Sequence, residues 1–365
     1  MRRNLAMFGA VVVSLGTAAP ASPHQQPSWS ATLEAESDPG LPLAWVTGLA
    51  VDSKRRVYVT DNALDGIAVL AADLTLEREV GRKGEGPGEF EWLATIQILE
   101  GDSLYAWDGR RFRVTVFEPR VLAVAYTVPL SLKSARELWR IPGQRGYVGQ
   151  RSLPFYADQR EEDHGRFDVL YRLGNDGNLE SDSIYAVPAA EPLVVRSEGS
   201  VMVGSHPFGA EPFVSLLGED RIVYADSRVP SVFVLDLAGA VQDSFDVPVK
   251  PVPVGAAELR AAIADNQQEG YEAFARALEE GAPYVWPALT GLVVDDQQRI
   301  WVGGRSESRT DEREWIAFRR EGTRVGSVLL PPTFELHAVS DGRLFGVATD
   351  ELDVPRIQVY RLEEG

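Results

Sequence analysis

The 365-residue chain contains no cysteine. That absence excludes disulfides, thiol nucleophiles, cysteine-ligated zinc and a lipid-anchored N-terminal cysteine. Histidine is scarce: only His24, His164, His206 and His337 occur, with no H-x-x-x-H spacing for a His-rich metal site. A G-x-S-x-G elbow is missing, and sequence order places no Ser-His-Asp set. Beyond the N-terminus, no apolar run approaches the roughly 18 residues of a membrane-spanning helix. Basic residues are outnumbered, 36 against 54 acidic, for a net charge of −18. Such a chain is a poor match for a phosphate backbone or an anionic membrane, which attract clustered Lys and Arg. The remaining composition, 44% hydrophobic and 25% charged, is that of a folded protein.

The N-terminus carries an export pattern. Arg2 and Arg3 form a basic start, Leu5 to Leu15 is apolar apart from Ser14, and Ala19-Pro20-Ala21 is an A-x-A cleavage site. We expect residues 1–21 to be a signal peptide, 22–28 a flexible tail, and 29–365 the folded domain. The mature protein is then expected to be periplasmic or extracellular, monomeric and not inserted in a membrane.

The most informative feature is repetition. Thr47–Val59 and Thr290–Val302 both read T-G-L-x-V-D-x-x-x-R-[VI]-[YW]-V. Each is an apolar strand, a tight polar turn and a second strand rich in β-branched and aromatic residues, which predicts a hairpin. The second strand recurs more weakly from residues 103, 145, 221 and 343. Six copies, spaced by a unit of roughly 40–50 residues with two units enlarged, indicate a propeller. Two further strand-like runs follow most hairpins, such as Ile67–Ala71 with Leu76–Val80. The expected fold is therefore all-β: six blades of four strands. The last repeat supplies only three strands. Trp29–Ala35 is expected to complete it and close the ring, because an open ring leaves sheet edges exposed.

Gly81-Arg82-Lys83-Gly84-Glu85-Gly86-Pro87-Gly88-Glu89-Phe90, followed by Tyr105, Asp108 and Phe112–Phe117, resembles an NHL-type repeat of secreted six-bladed propellers. The resemblance is good over 47–128, fair over 288–362 and poor between. It implies a six-bladed toroid and little about function, since such rings serve as docks, adhesion surfaces, lyases and lactone hydrolases. The glycines Gly84, Gly86 and Gly88 also resemble a phosphate cradle. No helix with Lys-Ser/Thr follows and Pro87 lacks an N–H, which favours an inter-blade turn.

Within each blade, call the strands A to D from the axis outward. The A–B and C–D turns are short. The long segments are the B–C loops Gln150–Arg166 and Gly303–Glu314 and the D–A connections Pro188–Pro212 and Pro248–Pro287. All of these belong to one face, which is then the expected binding face. The longest holds apolar positions at helical spacing, Ala256–Leu259–Ile263 and Tyr271–Phe274–Ala275–Leu278, ending at Gly281 and Pro283. A helical insertion over about 255–281, between blades 4 and 5, is expected on the rim, with a lid as the alternative.

The sixth position of the aligned B strands is Asp61, Asp108, Gln150, Asp226, Gly304 and Ala348. Asp61, Asp108 and Asp226 could converge to hold Ca²⁺ or a cationic group. Alternatively, each accepts local backbone N–H groups at its strand end. Arg110, Arg111, Arg151, Arg228 and Arg305 share the adjoining loops, to pair with these carboxylates or read an anion. Trp45, Trp92 and Trp286 precede A strands, where they could stack on a sugar or peptide or wedge between blades. His164, beside Glu161, Glu162 and Asp163, reads as a solvated loop residue. The leading expectation is a binding module for a protein, peptide or glycan, without a required cofactor. The alternative is a metal-assisted hydrolase or lyase of the lactonase-like type, its cation held by the three Asp with Asn62 and Gln150 and an open place for water. A purely structural envelope role is a third.

Overall fold

The structure, a computed structural model, describes residues 28–365 apart from 144, 153–166, 181–182, 198–199, 268–269, 307–310 and 351. The expected signal and cleavage site, the tail up to residue 27, His24, His164 and most of the Gln150–Arg166 loop lie outside the described residues.

Six four-stranded antiparallel sheets form a six-bladed β-propeller. Blade 1 is Val46–Val51, Val57–Asp61, Ile67–Leu70 and Leu76–Val80. Blade 2 is Leu93–Leu99, Ser103–Asp108, Arg113–Phe117 and Val124–Pro129. Blade 3 is Glu137–Arg140, Tyr147–Ser152, Phe167–Leu173 and Tyr185–Pro188. Blade 4 is Pro212–Leu217, Arg221–Asp226, Ser231–Asp236 and Val241–Asp246. Blade 5 is Leu289–Val294, Ile300–Gly304, Arg313–Phe318 and Arg324–Leu330. Blade 6 is Phe334–Ser340, Arg343–Thr349, Pro355–Glu364 and, from the other end of the chain, Trp29–Glu36.

Stacking sheets face to face buries both sides of the middle strands. Val57–Asp61 and Ile67–Leu70 are buried at every position, whereas the outer Leu76–Val80 is buried only at Val80. The apolar clusters lie between neighbouring blades. Val57, Val59 and Leu70 meet Phe345 and Ile357 across blades 1 and 6; Trp301, Trp315 and Val328 meet Phe334, Leu344 and Tyr360 across blades 5 and 6. Each such fully buried large side chain stabilises the ring by about 1.5–3 kcal/mol relative to exposure.

The repeated D-x-x-x-R-x-[YW] pattern has a direct physical cause. Asp52 Oδ1 accepts the N–H groups of Lys54 and Arg56, while Oδ2 accepts Arg56 Nε at 2.7 Å and the Tyr58 hydroxyl at 3.1 Å. Asp295 does the same with Gln297, Arg299 Nε at 2.5 Å and Trp301 Nε1 at 2.8 Å. One carboxylate closes the A–B turn and satisfies the aromatic donor buried beneath it, a charge-assisted arrangement. The turn requires positive φ at Arg55 (66°) and Gln298 (62°).

Ring closure is as expected. Trp29–Glu36 pairs antiparallel with Pro355–Glu364, from Trp29 opposite Glu364 to Glu36 opposite Gln358. The Trp29 indole lies over Gly326 of blade 5, where any Cβ would collide with the ring. Arg299 stacks 5.4 Å from the Trp29 ring and bonds Glu364 at 2.6 Å.

The two longest D–A connections form a satellite. Pro192–Ser197 and Ser200–Ser205 pair as a hairpin within a segment expected to be loop. Helix α1 (Ala256–Asp265) and helix α2 (Glu272–Gly281) occupy the second connection, as the periodicity predicts. Phe274 and Leu278 of α2 meet Leu193 and Phe208 in a cluster separate from the blade cores. Helix α2 packs against the first strand of this hairpin, with α1 alongside it.

Candidate functional site

The six aligned B-strand positions are structurally equivalent. Each lies opposite the first residue of its A strand: Asp61 with Val46, Asp108 with Leu93, Gln150 with Glu137, Asp226 with Pro212, Gly304 with Leu289 and Ala348 with Phe334. Their side chains are engaged locally. Asp108, fully buried, accepts the N–H groups of Glu91 (2.9 Å), Trp92 (3.3 Å), Arg110 and Arg111 (both 3.1 Å). Asp61 accepts those of Ala44 and Ala63. Asp226 accepts Arg228 N at 3.0 Å and Arg228 Nε at 3.2 Å. The buried Gln150 donates to Asp168 at 2.6 Å.

A shared metal centre at Asp61, Asp108 and Asp226 is therefore not what the geometry offers. Their oxygens latch each strand end to neighbouring loops. Among the described residues, no three His, Asp or Glu side chains are grouped to hold a metal.

The arginines are likewise engaged. Arg111 pairs with Glu85 and, at 2.9 Å, with Glu91. Arg151 donates to the Tyr171 hydroxyl at 3.1 Å and stacks over its ring. Arg305 lies 4.6 Å over the Trp286 ring. The glycine-rich segment runs between blades 1 and 2, and its Glu85 and Gly86 N–H groups point at the carboxylate of Glu89. An internal carboxylate thus occupies the place a phosphate would take, in agreement with the inter-blade turn.

The three tryptophans are not equivalent. Trp45 and Trp92 immediately precede their A strands, and their carbonyls accept Asn62 N and Gly109 N respectively, both at 3.0 Å. Trp45 is 70% exposed and Trp92 42%. Trp286 lies two residues further from its strand. Its indole N–H donates to Glu258 of α1 at 3.2 Å, and its ring meets Phe208 edge-on at 4.9 Å.

A concavity of about 1120 Å³ lies elsewhere on the same face. Ser152 and Phe167 of blade 3, Glu211 and Ser227 of blade 4, Arg305 and Arg313 of blade 5, and Glu335, Thr349 and Asp353 of blade 6 line it. The satellite adds Glu191, Ser205, His206 and Trp286. All of these stand at B–C or D–A ends. Only Trp286 and Arg305 of the sequence-derived candidates line it. Glu211 and Thr333 hold the place before the A strand that Trp45 and Trp92 hold in blades 1 and 2, their carbonyls accepting Ser227 N and Thr349 N at 3.3 Å. Extending the repeat alignment one strand back would have found them. Glu191 and His206 carry no such signal, because the satellite has no counterpart in other blades.

Burial sets the proton affinities here. His206 Nδ1 accepts the Phe208 N–H at 3.0 Å, and desolvation holds its pKa below the usual range against the opposing pull of Glu191. Glu137, opposite Gln150, has its carboxyl pushed up to about 7 by desolvation, with Arg136 acting in the other direction.

No protein-family model matches the chain, and no curated protein matches it in sequence. Solved structures do. A putative exported protein of Bacteroides fragilis is 11% identical with a TM-score of 0.50, over 92% of this chain and 96% of that one. A member of the duf4221 family from Bacteroides vulgatus is 8% identical with a TM-score of 0.51, over 93% and 100%. A virginiamycin B lyase from Staphylococcus aureus is 11% identical over 87% and 94%, with a TM-score of 0.43, too distant to bear on chemistry. At these identities the likeness concerns the fold alone.

Proposed function

We propose that this chain is an exported propeller, built on NHL-type repeats, that binds a peptide or glycan on its B–C/D–A face. The cavity carries this reading. Its lining comes from the ends of blades 3 to 6 and from the two longest inter-blade insertions, both of which border it. At about 1120 Å³ it slightly exceeds the usual small-ligand pocket. Its lining mixes charged, hydroxyl and aromatic side chains, which suits a polar ligand larger than a metabolite. Export is supported by Arg2-Arg3, the apolar Leu5–Leu15 stretch and Ala19-Pro20-Ala21, and by the description of the Bacteroides fragilis neighbour. Among the described residues, no helix is long and apolar enough to cross a membrane.

The test is a peptide and glycan array probed with the mature protein, a Ser205→Trp variant that fills the cavity, and a Glu321→Arg variant on the opposite face. Ligands retained by Glu321→Arg and lost by Ser205→Trp are expected. The reverse pattern would move the binding face to the A–B/C–D side.

A further inference from the structure

Resting on that binding reading, we infer that the cavity selects a cationic peptide segment, one that presents lysine or arginine side chains. The charges lining it are unequally used. Arg136 lies 3.7 Å from Asp168, Arg305 covers Trp286, and Arg313 has partners of its own. The carboxylates differ. Among the described residues, those of Glu211 and Asp353 make no hydrogen bond or ion pair, and Glu335 meets only His337, at 3.6 Å. Counted over the whole lining, four carboxylates (Glu191, Glu211, Glu335 and Asp353) stand against three guanidinium groups (Arg136, Arg305 and Arg313), a negative excess in a concave site whose walls focus the field.

A second observation comes from behind the wall of blade 3. Asp168 is fully buried. One oxygen accepts Gln150 Nε2 at 2.6 Å, while Oδ1 is buried without a hydrogen-bond partner. Its cross-strand partner Ser152 and its ion-pair partner Arg136 both line the cavity. A buried carboxylate oxygen lacking a donor is costly, and a ligand ammonium or guanidinium entering beside Ser152 would supply one. A peptide, rather than a single amine, fits the volume and the spread of Glu211, Asp353 and Asp168 over blades 4, 6 and 3.

Calorimetric titration with pentalysine at 150 mM salt tests the inference. Binding is expected to weaken about tenfold or more in the Glu211→Gln/Asp353→Asn double variant, the loss typical of removing partners from charged contacts. It should disappear in Ser205→Trp, weaken in Asp168→Asn, and change less than about twofold in Glu219→Gln on the opposite face. Equal binding by the double variant would overturn the inference, reducing the attraction to the net charge of −18. Spermidine binding as tightly as pentalysine, with the same variant dependence, would overturn the peptide assignment. A neutral or acidic ligand that is lost in Ser205→Trp, with pentalysine inactive, would refute the cationic choice and leave the binding reading standing. If no ligand of any charge responds to Ser205→Trp, both fall.

Discussion

At the scale of single residues, carboxylates do much of the construction. Asp108 satisfies four backbone N–H groups from two loops. Its replacement by Ala strands these donors, and a loss of about 2–4 kcal/mol is expected in chemical denaturation. Because those oxygens are already used, excess Ca²⁺ is expected to leave the thermal midpoint unchanged. A rise that disappears in Asp108→Asn would restore a calcium centre by mass action. Glu137 behaves differently, because burial raises its pKa to about 7. The unfolded chain ionises this group from about pH 4.5, so stability falls as pH rises from there to about 7. Glu137→Gln should therefore match the parent at pH 4 and exceed it by about 2–3 kcal/mol at pH 8. Thermal melts across that range check the sign; a constant offset would assign the effect to packing.

Elements differ in how they are held. Blade strands are pinned by ladders and by inter-blade clusters, whereas the satellite depends on one small core. Phe274 and Leu278 anchor α2 against Leu193 and Phe208, and a Cβ on Gly204 would already press on the Phe274 ring. Phe274→Ala is expected to cost about 3–4 kcal/mol locally. Hydrogen exchange should then quicken in Pro192–Ser205 and in both helices, while blades 1, 2 and 6 keep their protection. Loss of protection throughout the ring would show instead that the satellite is integral to blades 4 and 5. Binding in the cavity should weaken with it, since Trp286, tied to α1 through Glu258, forms part of the wall.

For the whole molecule, the decisive contact joins the two ends of the described chain. Removing Trp29–Glu36 exposes the edge of Pro355–Glu364 and vacates the contact of Trp29 with Gly326 and Arg299. Light scattering is expected to reveal association through that edge and a lowered melting temperature. A monomeric, equally stable truncation would show that the ring does not depend on this strand. The asymmetry of the mouth is also a property of the whole. Blades 1 and 2 present Trp45 and Trp92 to solvent, while blades 3 to 6 and the satellite enclose the cavity.

The sequence by itself determined the ring, because the repeat is written in residues whose roles are local. Asp52 and Asp295 close turns within their own hairpins, and the alternating apolar strands bury whichever blade comes next. The helical spacing of Phe274 and Leu278 was legible for the same reason. Only the tertiary structure decided where the cavity lies and which charges face it. Glu191 and Glu211 are far in the chain from Glu335 and Asp353, and the two pairs meet because ring closure and two insertions bring their loops together. Spacing within one repeat carries no information about such convergence. The local N–H partners of Asp61 and Asp108 (Ala63, Arg110 and Arg111) follow from a strand-end position, whereas Ala44 and Glu91, in the loops that precede the A strands, are placed against them only by the tertiary structure.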